Sequence, residues 1–115
     1  MNEQELKLRT KQFALRILKL VRALPKTVDG RTIGKQLIRV GTSVGANYRA
    51  ACRGRSKAEF IAKLGIVEEE ADECAFWLEI IIEGGLLKAA HVGNLLQEAN
   101  EITAIMVASR KGASQ

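Results

Sequence analysis

From Leu6 onward, apolar residues return every three or four positions as Leu6, Phe13, Ile17, Leu20 and Leu24. That spacing sets them along one stripe of an α-helix, because 3.6 residues complete a turn. The pattern stops at Pro25, whose ring cannot continue a helix, so a first helix is predicted over about residues 2–24. Pro25–Asp29 reads as a loop, with Thr27 or Asp29 available to cap the next helix. A second stripe, Ile33, Leu37, Val40, Val44, Tyr48 and Ala51, predicts a helix over about 30–53, closed by Gly54. Ser56 with Glu59 three residues later is a capping-box signature. It opens a third helix over 57–83, with Phe60, Leu64, Val67, Ala71, Cys74, Leu78 and Ile81 inward and Gly84-Gly85 as its stop. A fourth helix is predicted over about 89–109, with Val92, Leu95, Leu96, Ala99, Ile102 and Met106 inward. Residues 110–115 are small and polar and are expected to form a disordered tail. Short connections between long helices favour antiparallel neighbours. The expected fold is all-α: one up-down-up-down four-helix bundle spanning 1–109.

Composition agrees. A chain of 115 residues is long enough for one core and too short for two ordinary domains. Aromatics are only 4% of the chain and there is one Pro, so the apolar content is carried by Leu, Ile, Val and Ala, which suit helices better than a β-sandwich. No apolar run approaches the roughly 20 residues that span a bilayer, and Met1–Glu5 is polar and acidic without a signal-peptide pattern. These features point to a cytoplasmic protein with no membrane partner. Cys52 and Cys74 do not form a CxxC pair; reduced, buried thiols are the simpler reading, and a structural disulfide is the alternative.

Charge is unevenly spread. Residues 1–55 hold 13 Lys and Arg against 3 acids, whereas residues 56–115 hold 5 against 10. Such polarity implies a divided surface or charge matching between subunits. On a wheel of about 100° per residue, Arg31, Lys35, Arg39, Arg49 and Arg53 fall within one sector of roughly 80°, opposite the second core stripe. Arg55 and Lys57 extend the cluster past the turn, and Lys7, Lys11 and Arg22 add to it from the first helix. Two readings are open for this sector: a solvated face, as most charge runs are, or a contact for phosphates, which guanidinium groups bind bidentately. No aromatics are interleaved for base stacking, so any RNA or DNA binding would be driven by the backbone.

Two apolar features also need a reason. Gly34, Gly41, Gly45 and Cys52 line one flank of the second helix, and each glycine inside a helix costs about 1 kcal/mol relative to Ala. Close approach of another helix offsets that cost, from the same chain or from another subunit. Large side chains also fall off the core stripes: Ile66, Phe76, Trp77 and Ile80 among the acids of the third helix, and Leu8, Leu15 and Leu18 on the first. They are either scattered exposed residues or the interface of a homo-oligomer anchored by Trp77.

Nothing points to catalysis. The run Glu68-Glu69-Glu70-Ala71-Asp72-Glu73 invites a metal reading, but a di-iron bundle needs Glu-x-x-His pairs and the chain's single histidine, His91, sits in none. There is no P-loop, no dinucleotide fingerprint and no Ser/His/Asp set. The expectation is a non-enzymatic protein without cofactor or metal.

The segment Gly41–Gly54 (GTSVGANYRAACRG), followed by Arg55–Ile61 (RSKAEFI), resembles the signature of the bacterial "four helix bundle protein" family, and Glu69–Glu73 and Trp77–Glu79 continue the likeness. It covers roughly residues 10–108. That family includes proteins encoded in intervening sequences of large-subunit ribosomal RNA genes, and is similar to the accessory variability proteins of diversity-generating retroelements. The resemblance implies a homopentameric barrel of four-helix subunits, often basic, which in the retroelement branch binds a reverse transcriptase and nucleic acid. Asn47 matches the family motif and, at the edge of the core stripe, reads as a helix-to-helix hydrogen-bonding residue. Many members carry an acid after that Asn; here Arg49 and Arg53 make the second helix more basic. Two functions remain open: a nucleic-acid-binding accessory protein using Arg31, Lys35, Arg39, Arg49, Arg53 and Arg55, or a scaffold whose basic face meets acids of a neighbour.

Overall fold

The computed structural model describes residues 1–115 and contains four helices: α1 (Glu3–Arg22), α2 (Val28–Cys52), α3 (Lys57–Glu83) and α4 (Ala89–Ala113). Local chemistry sets most of their ends. The side chains of Asn2, Thr27 and Ser56 accept from the backbone N–H groups of Glu5, Gly30 and Glu59, which satisfies donors that the first turns of α1, α2 and α3 would otherwise leave free. At the end of α3, Gly85 adopts a positive φ of 73°, and the N–H groups of Leu86 and Gly85 return to the carbonyls of Ile81 and Ile82. This paired closure needs a residue at ease in the left-handed region, which the Gly84-Gly85 stop supplies.

Three boundaries differ from expectation. Helix α1 ends at Arg22 rather than Leu24, because Pro25 drives the residue before it out of helical geometry. Helix α2 starts at Val28, since Thr27 and not Asp29 is the cap. The expected disordered tail is the larger correction: α4 continues past Ser109 to Ala113. Arg110 explains it, donating from Nε and Nη2 to Oε1 of Glu68 on α3 at 3.0 and 2.8 Å and fastening the last turns to the bundle.

Each helix packs on the next in sequence, and α1 and α4 close the ring through the smallest of the four interfaces. The result is the up-down-up-down bundle, a rod of 45 × 20 × 19 Å. Its core is one continuous cluster of 23 buried apolar residues, and it contains nearly all the stripe positions; Phe60 and Leu96 sit partly buried at its rim. Burial of this kind contributes roughly 1.5–3 kcal/mol per large side chain and outweighs the modest helix propensities. The thiols of Cys52 and Cys74 are both free, the first half-buried and the second buried. No helix is long and apolar enough to cross a membrane.

Candidate functional site

The flank of small residues on α2 faces α1 of the same chain. A Cβ at Gly41 would stand 2.9 Å from two carbons of Ile17, and one at Gly45 would stand 3.3 Å from the backbone of Thr10. Thr10 itself is fully buried, and its hydroxyl donates to the Leu6 carbonyl at 2.8 Å, so its polar group asks nothing of α2. This close approach has a surface consequence. Lys11 of α1 and Arg49 of α2 line one shallow groove with Gly45 between them. At the other end of the same seam, Lys26, Arg31 and Lys35 gather around Gly30 and Gly34.

Arg31, Lys35, Arg39, Arg49, Arg53 and Arg55 are all exposed. The fold does not gather them at one point: Arg31 and Arg53 lie about 33 Å apart along α2 at 1.5 Å per residue. They form a band, with Arg31, Lys35 and Arg39 toward one end and Arg49, Arg53 and Arg55 toward the other. Only Arg39 is neutralised within the chain, by Glu73 of α3 at 2.8 Å; the other five make no ion pair. The band is therefore a surface of free positive charge.

Several carboxylates are engaged within the chain. Glu98 takes Nε and Nη2 of Arg9 on its two oxygens at 2.7 Å each, Glu101 adds a second contact to the same Arg, and Glu68 holds Arg110. Asn47 donates to both oxygens of Glu70, at 2.8 and 3.0 Å, linking α2 to α3. Burial pushes the Glu70 carboxyl above the ordinary carboxylate range, with the Asn47 bond opposing that shift. Burial likewise raises the Cys74 thiol to about 12, which leaves it an unreactive packing residue. No three His, Cys, Asp or Glu side chains converge to hold a metal ion.

The off-stripe apolar residues divide. Leu8, Leu15, Ile66 and Phe76 are exposed, at 56%, 58%, 46% and 52%. Leu18, Trp77 and Ile80 are half-buried within the single chain, and Trp77 and Ile80 pack against the core. A wheel drawn for one helix misses this, because the neighbouring helix covers its flanks. Trp77 also donates from Nε1 to Glu73 at 3.1 Å and meets Phe76 edge-on at 5.1 Å, so it bridges the core to the exposed patch. The pairs Arg9–Glu98, Arg39–Glu73 and Arg110–Glu68 carry no sequence signal, since packing alone brings them together.

The sequence profile of the 23S rRNA-intervening sequence protein family matches residues 2–108. The chain belongs to this family. Among solved structures it is similar to a protein of unknown function from the S23 ribosomal protein family of Bacteroides thetaiotaomicron VPI-5482. The two are 32% identical, with a TM-score of 0.88 over 96% of this chain and 99% of the other. A comparison with functionally curated proteins finds no match. Family membership thus agrees with the resemblance seen over residues 10–108 and with the four-helix architecture.

Proposed function

We propose that this chain is a non-enzymatic, cytoplasmic binding protein that contacts RNA or DNA phosphates through the outer face of α2 and associates with copies of itself. The observation that carries the reading is the run of exposed, unpaired cations along α2. Arg31, Lys35, Arg49, Arg53 and Arg55 are exposed, and none makes an ion pair within the chain. A band of free guanidinium and ammonium groups releases condensed counterions when it meets a phosphate backbone, and this supplies affinity without base readout. The family's description, tied to an intervening sequence of 23S rRNA, fits an RNA ligand.

Self-association uses two further faces. Leu15 on α1 lies one turn from Lys11, and Phe76 on α3 lies one turn from Asp72. One apolar face thus borders a cation and the other a carboxylate. Two unlike, complementary faces generate a closed ring when the rotation between subunits closes. A pentamer and a reverse-transcriptase partner are what the resemblance to the retroelement accessory proteins adds. The test is fluorescence anisotropy of labelled RNA against the purified oligomer at low salt. Binding that weakens steeply with salt supports the reading, and no binding at low salt sinks it.

A scaffold is the second reading, favoured by the unpaired acids Glu69, Asp72, Glu79 and Glu83, which line α3 opposite in sign to the α2 band. In that case R49E/R53E breaks the oligomer, whereas in the first it removes RNA binding from an intact one.

A further inference from the structure

The small α1–α4 interface leaves a groove of about 410 Å³ open beside the start of α4. Buried Leu20 and Leu95 form its apolar base, and half-buried Leu87 forms one rim. Arg16 and Lys19 stand on the α1 wall, and His91 and Asn94 stand one turn apart on the α4 wall. All four are exposed, and neither Arg16 nor Lys19 has an ion pair elsewhere. No carboxylate lines the groove. The next one along the seam, Glu98, has both oxygens occupied by Arg9.

The potential on the α4 wall has the same sign. The other three helices carry a side-chain cap and at least one acid in the first turn; α4 has neither, and Lys88 occupies its cap position. The positive end of its macrodipole is left unopposed and adds to Arg16 and Lys19. An inorganic anion alone has no use for the leucine base, and an apolar ligand alone has none for two unpaired cations. The combination suits a ligand with an anionic head and a flat, weakly polar body. The volume lies in the range of small-ligand pockets, roughly 300–1,000 Å³. A guanidinium can hold a phosphate bidentately or lie against a base, and the Asn94 amide offers both a donor and an acceptor to a base edge.

We infer that the α1–α4 groove is a binding site for a nucleoside phosphate, with Arg16 and Lys19 on the phosphate, Leu20 and Leu95 beneath the base and Asn94 at its edge. The site does not depend on the α2 band, which lies across α1 from it.

The test is a titration of the ¹⁵N-labelled full chain with adenosine 5′-monophosphate, adenosine and inorganic phosphate, followed by amide shifts. The expected result is saturable binding of the nucleotide that moves Arg16, Lys19, His91 and Asn94, with adenosine and phosphate each at least tenfold weaker. R16A/K19A, at two exposed positions, keeps the wild-type melting point and loses at least tenfold in nucleotide affinity. N94A loses affinity for the nucleotide but not for phosphate, and R49A/R53A binds the nucleotide as wild type does. Displacement of the nucleotide by a 5′-phosphorylated RNA oligomer, but not by its 5′-hydroxyl form, names a strand end as the source. Displacement by neither names the free nucleotide, and the groove is a nucleoside-phosphate site in both cases. Shifts confined to the α2 face, equal binding of inorganic phosphate, or unchanged affinity in R16A/K19A would overturn the assignment.

Discussion

Asn47 of α2 spans both carboxylate oxygens of Glu70 on α3, at 2.8 and 3.0 Å, in a half-buried setting. The bond holds together the two helices that carry the basic band and the acidic face. Its energetic character comes from burial, which raises the Glu70 pKa above the ordinary value of 4.5. The folded state then binds more protons than the unfolded state between that value and the raised one, so this group makes stability fall as pH climbs through the window. Glu70→Gln keeps an acceptor for Asn47 and removes the ionisation. The stability of E70Q relative to wild type is expected to grow as pH rises from about 4.5 and then level off. Urea midpoints across pH 4–7.5 check it, and a gap that is constant with pH contradicts it.

Removing the donor has the opposite outcome. Asn47→Ala leaves Glu70 half-buried without its partner, at a cost of about 1–3 kcal/mol at neutral pH. Thermal melts measured beside E70Q separate the two cases: N47A melts lower than wild type, and E70Q does not.

Glycines at two positions carry opposite expectations. A Cβ at Gly41 meets the fully buried Ile17 at 2.9 Å, whereas nothing lies within 4 Å of one at Gly93. Gly41→Val is expected to destabilise the bundle by about 2 kcal/mol through overpacking. Gly93→Ala is expected to stabilise it by about 0.5–1 kcal/mol, since the helix loses its most flexible residue. Chemical denaturation of the two variants checks both signs.

Gly34, Gly41 and Gly45 of α2 also show what the sequence held. Their spacing announced a close helix approach, but not that α1 of the same chain was the partner, because that depends on which helices become neighbours. The Ser56 cap and the Gly84-Gly85 stop were legible because each is closed by hydrogen bonds a few residues long. The end of α4 was not, since Arg110 reaches Glu68 across 42 positions. Likewise the α2 band was readable from periodicity, whereas the half-burial of Trp77 and Ile80 came from neighbours that a single-helix wheel does not contain. The α1–α4 groove had no sequence signal, as it arises from two helices packing loosely.

Glu73 receives both Arg39 Nη2 and Trp77 Nε1 on one oxygen. Glu73→Ala frees Arg39 to join the unpaired band, so RNA affinity at low salt is expected to rise by about twofold to fivefold, with one more cation contributing to the salt dependence. The emission of Trp77, the chain's only tryptophan, should shift in the same variant as its hydrogen bond is lost. Anisotropy and fluorescence on one sample read both effects, and unchanged affinity counts against a role for Arg39.

The apolar faces give a mass prediction. Phe76→Ser and Leu15→Ser remove exposed side chains that the fold of one chain does not need, so each is expected to lower the solution mass toward that of the monomer while helicity stays within experimental error. Light scattering with circular dichroism checks it. A wild-type chain already monomeric at micromolar concentration contradicts the self-association reading.

The central claim is that the α2 band holds a phosphate backbone, and the slope of log affinity for RNA against log salt tests it most directly. Wild type is expected to show a steep negative slope, which R49A/R53A reduces in magnitude by roughly 1.4–1.8 for the two lost cations. The same slope in both proteins, or no binding by wild type at low salt, would contradict it.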